Sequence, residues 1–301
     1  MSDLVEKIKE LKEKKNAIIL AHNYQIMGVQ EIADFTGDSL ELARKASQTS
    51  ADIIVFCGVR FMAETAKILS PDKKVLIPVK NAGCPLADFI KPEDVNELKR
   101  KYPDAKVVAY VNTTADVKAV SDVCCTSANA IKVCQNIEAQ KIIFIPDKNL
   151  GNWVQKNLRD KEIILYDGFC YVHQGFRVED AELVRKELPG AKIVVHPECP
   201  PQVVDKADAV LSTSGMLKYC KENDAKEFVI GTEEGMIRKL KKENPDKKFY
   251  SLGNSRVCYD MKLTRLQDVY DALLYERYVV KLPTDIIDRA KRALTEMIKY
   301  V

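Results

Sequence analysis

Short apolar runs alternate with amphipathic stretches along this chain, and the alternation itself recurs. The first unit offers a helix (DLVEKIKELKEK), a strand (NAIILAHNY), a helix (DSLELARKA), a strand (ADIIVFCG), a helix (RFMAETAKIL) and a strand (KKVLIPV), and closes on NAGC. The second runs PEDVNELKRKYP, AKVVAYVNT, TSANAIKVC, QKIIFIPD, KNLGNWVQKNL and KEIILY, closing on DGFC. The third runs VEDAELVRKELP, AKIVVHPEC, SGMLKYC, EFVIGT, EGMIRKLKKENP and KKFYSLG, closing on NSRVC. Val- and Ile-rich strands between amphipathic helices are the mark of parallel sheets covered on both faces. The pattern predicts an α/β protein of three homologous three-layer αβα domains with short parallel sheets. The expected domains are residues 1–84 together with 262–301, residues 85–170, and residues 171–261. A tail after Cys258, with a helix (LTRLQDVYDALLYE), a strand (YVVKLP) and a capped helix from Thr284, is expected to return to the first domain.

The markers of the repeat keep register. Cys84 and Cys170 lie 86 positions apart and Cys170 and Cys258 lie 88 apart; His22 and Tyr110 lie 88 apart and Tyr110 and His196 lie 86 apart. All six fall at or just beyond strand ends, and the carboxyl ends of parallel strands form the ligand crevice. An isolated unit of this size buries only about 60% of its chain surface, a marginal core, so the three are expected to pack together. Arranged around a pseudo-threefold axis with those ends inward, they bring the six residues to an active site at the central junction.

Composition narrows the function. With 46% hydrophobic and 30% charged residues the chain reads as globular, and 47 basic against 44 acidic side chains are too balanced for a dedicated nucleic-acid binder. The N-terminal stretch reads as a charged amphipathic helix and not a signal peptide, and no apolar run is long enough to span a membrane, so the expected location is the cytoplasm. Nine cysteines, an odd number with no CxxC pair, exclude a complete disulfide framework and the usual zinc-ribbon pattern.

Three thiols gathered from three domains suit a zinc ion or an iron-sulfur cluster. A cubic cluster held by only three cysteines leaves one iron open to substrate as a Lewis acid. A buried thiol is otherwise a small apolar residue, and that is the expectation for Cys57, Cys124, Cys134 and Cys220, which lie inside apolar patterns; Cys199, in HPECP, stays undecided between spare ligand and packed neighbour. Hydroxyl-bearing segments at Gly37–Ser39, Thr126–Asn129 and Ser212–Gly215 stand where the second helix of each unit begins. They read either as ordinary caps or as anion sites; recurring three times, they favour a small substrate with several anionic groups. The whole histidine complement, His22, His173 and His196, lies beside the proposed cavity, and Glu198 with Tyr24 is the expected acid/base pair. A zinc hydrolase and a non-catalytic metabolite binder stand as rival readings of the same residues.

The strings ILAHNYQ, FMAETAKIL, YVNTTADVKA, CTSANA, PDKNLG, CYVHQ, HPECP and GTEEGMI, with the three cysteines, resemble the quinolinate synthase family of NAD biosynthesis over most of the chain. The resemblance implies an enzyme that condenses iminoaspartate with dihydroxyacetone phosphate to give quinolinate, phosphate and two waters. It implies one 4Fe-4S cluster per chain on Cys84, Cys170 and Cys258. Carried over by position, it assigns substrate binding to Asp38, Ser39, Ser127, His196, Ser212 and Thr213, and catalysis or substrate orientation to His22, Tyr24, Tyr110, Asn112, His173 and Glu198. Transient contact with the enzyme that produces iminoaspartate is a further expectation; nucleic acid and membrane are not expected partners. Some members carry a CxxCxxC run near the C-terminus that forms a redox-sensitive disulfide, whereas no cysteine follows Cys258 here.

Overall fold

In the computed structural model, which describes residues 2–300, the strands form three four-stranded sheets in which every neighbouring pair is parallel. The first contains β1 (Ala17–His22), β2 (Phe35–Gly37), β3 (Ile53–Cys57) and β4 (Lys74–Leu76), in the order β2-β1-β3-β4. The second contains β5 (Lys106–Tyr110), β6 (Val123–Cys125), β7 (Lys141–Ile145) and β8 (Glu162–Leu165), in the order β6-β5-β7-β8. The third contains β9 (Lys192–Val195), β10 (Ala209–Val210), β11 (Glu227–Gly231) and β12 (Lys248–Ser251), in the order β10-β9-β11-β12. One topology is therefore written three times.

Each sheet has one more strand than the apolar pattern predicts. The additional strands β2, β6 and β10 are two or three residues long, too short to show any period. An aspartate just before each holds it to its neighbour. The backbone N–H groups of Ile19, Val107 and Ile193 donate to the carboxylates of Asp34, Asp122 and Asp208, each at 2.8 Å. The amides of the same aspartates donate back to the carbonyls of Ile19, Val107 and Ile193. A short helix also intervenes between first strand and edge strand in every unit, at Met27–Ile32, Ala115–Ala119 and Pro201–Val204. These turns of helix carry too few apolar positions to stand out in the sequence.

The layers follow from alternation along the strands. Leu20 faces one apolar cluster while its neighbours Ile19 and Ala21 face another, and Val194 and Ile193 divide the same way in β9. Helices cover both faces, and each fully buried Ile, Leu or Val contributes roughly 1.5–3 kcal/mol by leaving water. The largest cluster runs continuously through all three units. Its continuity is what ties three marginal units into one body.

The tail divides between two neighbours. Helix Leu266–Tyr275 packs on the N-terminal helix Ser2–Lys14 and on β3, as expected of a return to the first unit. Helix Thr284–Lys299 lies against helix Arg60–Leu69 of the first unit but also against helix Ala115–Ala119 and β6 of the second. Its buried stripe is Ile287, Ala290, Ala293, Leu294 and Met297, one helical face. Asn129 of the second unit donates through Nδ2 to the carbonyls of Met297 and Tyr300, satisfying the end of that helix. The expected strand YVVKLP is not a strand. Val279 makes a single antiparallel bridge to Leu76, and Val280 donates to the Val75 carbonyl, so the segment covers the open edge of β4.

Candidate active site

The carboxyl ends of the three sheets meet around a central cavity. Cys84, Cys170 and Cys258 line it, one from the end of each unit, beside His22, Tyr110 and His196 from the ends of the three first strands. Tyr24, Asp38, Ser39, Asn112, Ser127, His173, Glu198 and Thr213 complete the residues singled out from the sequence that reach this lining. Ser212 does not. It lies behind the wall, where its hydroxyl donates to Asp38 Oδ2 at 3.2 Å and its Oγ accepts from the Gly215 amide.

The three thiols are free, as are the other six. Burial pushes the pKa of Cys84 and Cys170 up, with the Glu198 carboxylate adding to both, and raises Cys258 to about 11. By themselves such groups stay protonated; a bound cation is what favours three thiolates in an apolar pocket. Sulfur donors from three directions, with no fourth cysteine in the lining, suit a thiophilic centre that keeps a position open. Cys199 is not part of it: it is buried and its thiol donates to the Gly231 carbonyl at 3.3 Å. Cys57, Cys124, Cys134 and Cys220 are buried within apolar clusters.

Proton-carrying groups join into a chain across the cavity wall. Tyr24 Oη lies 2.6 Å from Thr232 Oγ1, and Thr232 Oγ1 lies 2.8 Å from His173 Nε2. His173 Nδ1 and His196 Nδ1 both approach Glu198 Oε2, at 3.0 and 3.1 Å, and the two imidazoles stack with centroids 4.5 Å apart. His196 Nε2 then reaches Ser127 Oγ at 3.1 Å. Both approaches are at ion-pair distance without hydrogen-bond alignment; His196 Nδ1 accepts instead from the Glu198 amide, and among the described residues His173 Nδ1 and Glu198 Oε1 have no hydrogen-bond partner. Burial would raise the Glu198 pKa, but the neighbouring imidazoles, His173 and then His196, pull it well below the usual carboxylate range. Glu198 therefore sits there ionised.

His22 and Tyr24 are tuned the other way. Burial lowers the His22 pKa to about 3, with the Lys239 charge assisting, so its ring is neutral. Its Nδ1 accepts from the Tyr24 amide at 3.2 Å, which puts the ring proton on Nε2. Burial raises the pKa of Tyr24 and Tyr110 well above the ordinary phenol value, keeping both as O–H groups. Among the described residues Asn112 Oδ1 is buried with no partner, an acceptor left for whatever occupies the cavity.

The expected helix starts are of two kinds. Asp38 caps helix Ser39–Gln48, its Oδ1 accepting from Leu40 and Glu41, so its carboxylate is already engaged; Ser212 caps helix Thr213–Glu222. In the second unit the helix begins only at Ala130, and Ser127 stands in the turn before it. What the three units share is a hydroxyl one residue further on: Ser39, Ser127 and Thr213 are in repeat register and all line the cavity.

Several residues of the site escaped sequence reasoning. Thr232 follows β11 in register with Gly58 and Pro146, so the repeat offers no polar signal there. Asp147 and Glu233 do share register, two residues past the equivalent strands, and each accepts from the amide of a lining cysteine. Cys170, His173 and Glu198 also bring one donor atom each within 4.8 Å of one another.

Known proteins match the chain over nearly its whole length. A family model described as Quinolinate synthetase A protein matches residues 6–299. The chain is 52% identical over 299 residues to a quinolinate synthase of Caldicellulosiruptor saccharolyticus, covering 98% of this chain and 99% of that protein. It is 51% identical over 298 residues to one of Pyrococcus abyssi, covering 99% of each chain. A quinolinate synthase of Alkaliphilus metalliredigens is 51% identical over 300 residues, covering 99% of this chain and 98% of that protein.

Proposed function

The chain belongs to the quinolinate synthase family, and from that membership we propose that it condenses iminoaspartate with dihydroxyacetone phosphate to quinolinate, phosphate and two waters. The balance needs no oxidant or reductant: two carbon skeletons join, nitrogen closes the ring, and phosphate and water leave. The observation that carries the proposal is one cavity lined by three free cysteines from three units, beside a chain of proton-bearing side chains.

Cys84, Cys170 and Cys258 would hold a 4Fe-4S cluster, which when bound supplies a Lewis-acidic iron without a protein thiolate. The protein's own groups account for the rest. Ser39, Ser127 and Thr213 offer hydroxyls to carboxylate and phosphate oxygens, and Asn112 Oδ1 offers a buried acceptor to an N–H or O–H of substrate. Neutral His22 donates from Nε2 without adding charge. Proton movement runs through Glu198 and the two imidazoles. His196 Nδ1 accepts from the Glu198 amide at 3.3 Å, which puts its proton on Nε2 against Ser127 Oγ, while Glu198 Oε2 lies 3.1 Å from Nδ1, placed to receive or return a proton there. Tyr24 relays through Thr232 to His173, so a proton taken at one wall can be returned at the other.

The cytoplasmic setting and transient contact with the enzyme that supplies iminoaspartate belong to the same proposal. No described helix is long and apolar enough to cross a membrane. The test is protein purified without oxygen, assayed for iron, for absorbance near 400 nm and for quinolinate formed from the two substrates. Brown protein with about four irons that makes quinolinate supports the assignment. The Cys170, His173 and Glu198 triad is also a donor set that zinc accepts. Colourless protein holding one zinc and making no quinolinate would overturn the cluster reading in favour of that site.

A further inference from the structure

Thr213 is a cavity hydroxyl whose hydrogen-bond direction is dictated from behind. Its Oγ1 lies 2.9 Å from Asn23 Nδ2, and Asn23 Oδ1 lies 2.7 Å from Lys239 Nζ. Asn23 is fully buried, and Lys239, which also donates to Thr36 Oγ1 at 2.8 Å, is nearly so. An ammonium has donors and no acceptor, so the amide atom beside it is the oxygen and the atom beside Thr213 is the NH2. Thr213 Oγ1 must then accept. Among the described residues no other group bonds that oxygen, so its hydrogen is free for the cavity that Thr213 lines. The bond also crosses the structure: Asn23 follows β1 of the first unit, whereas Thr213 and Lys239 belong to helices of the third.

We infer that Asn23 and Lys239 are positioning residues that make Thr213 an obligate hydrogen-bond donor to an anionic oxygen of the substrate. The inference rests on the quinolinate-forming assignment of this cavity and adds to it two residues that never touch substrate. A hydroxyl free to rotate would spend part of its time accepting; one locked as donor is pre-organised for carboxylate or phosphate.

The probe is Asn23→Asp in the iron-loaded enzyme. The carboxylate keeps the shape and the contact with Lys239, but it turns the second bond around: Thr213 now donates to Asp and has no hydrogen for the cavity. A hydrogen bond to a charged group is worth roughly 1.5–3 kcal/mol, so the Kd for quinolinate should rise about ten-fold or more, as it should in Thr213→Val. The double variant should be no weaker than Thr213→Val alone. KM for dihydroxyacetone phosphate or for in situ iminoaspartate should carry the loss, with kcat changing less than about three-fold. Lys239→Met, which frees the amide to turn, should raise the Kd about three-fold on the wild-type background and not on Thr213→Val; it decides the matter if Asn23→Asp does not fold. A wild-type enzyme that neither binds nor makes quinolinate removes the underlying assignment. Wild-type activity with an unchanged Kd in Asn23→Asp, or losses that multiply in the double variant, overturns the positioning role alone.

Discussion

The second and third units hold their cysteines from within, whereas the first relies on its neighbours. Asp147 caps helix Lys148–Asn157 with Oδ1, accepting from Leu150 at 2.7 Å, and with Oδ2 accepts from the Cys170 amide at 3.0 Å. Glu233 does the same for the third unit, accepting from Gly235 at 2.8 Å and from the Cys258 amide at 3.2 Å. The position equivalent to both in the first unit is Val59, which has no capping oxygen. The backbone frame survives without it: Arg60 donates to Ala82 as Lys148 does to Gly168 and Glu234 to Arg256. What replaces the carboxylate is borrowed. Asp260, two residues past Cys258, accepts from the Gly83 amide at 3.1 Å, and the tail ties down the outer edge through Glu276, paired with Lys15 and Lys74. A repeated fold can thus keep its geometry while one copy delegates its support, and the placing of Cys84 becomes coupled to the loop that carries Cys258.

The sharpest way to break the contrast is Asp147→Ala. It removes a cap and leaves the buried amides of Cys170 and Leu150 unpaired, a loss on the order of 3 kcal/mol in denaturant unfolding, together with poor iron retention. A loss below about 1 kcal/mol would show that water or a shifted backbone serves as well. Next comes Glu233→Gln. Here Lys262, 2.8 Å from Glu233 Oε1, would lose its counter-charge while one amide keeps an acceptor, so about 1–3 kcal/mol is expected by the same measurement. Asp147 has no such cation among the described residues, which is why its removal and that of Glu233 should differ.

Asp260→Ala probes the borrowed support. One partly buried bond is worth about 1 kcal/mol, so global stability should fall little. The local effect should be specific: faster alkylation of Cys84 than of Cys170 in metal-free protein, read by peptide mass spectrometry. Equal rates for the two thiols would mean that the Asp260 contact does not steady the first loop. The smallest effect belongs to Glu276. Its two lysines, Lys15 and then Lys74, lower its pKa to about 2. A depressed carboxylate stabilises the fold above its unfolded value near 4.3, and the gain is lost as pH falls from there towards about 2. Because the pair is partly exposed, the contribution should be under 1 kcal/mol and fade with salt. Glu276→Gln should flatten that acid limb slightly; an unchanged acid profile would remove the tail from the list of supports.

Much of the site was legible because the repeat made it so. One thiol at Cys170 has no meaning alone, but three thiols in register at strand ends name a common centre, and all three line one cavity. The same device could have found more. Asp34, Asp122 and Asp208 recur in register, and so do Asp147 and Glu233, yet an acidic residue beside a strand is so ordinary that only its bonds reveal its work. Ser212 shows the opposite error: a hydroxyl at a helix start is equally a cap, and here it is one, turned away from the cavity.

The sequence by itself determined the three-fold repetition, the parallel sheets, the equivalence of Cys84, Cys170 and Cys258, and the family. Those features live in local periodicity and spacing, which a linear chain records directly. Only the tertiary structure decided which partners meet: Thr232 between Tyr24 and His173, Glu198 between two imidazoles, Asn23 between Lys239 and Thr213. These bonds join residues up to 216 positions apart, and their direction is set by which donor or acceptor the neighbouring unit presents. No period along the chain encodes that choice, because it arises when three similar surfaces are pressed together and each buried polar atom must find a partner.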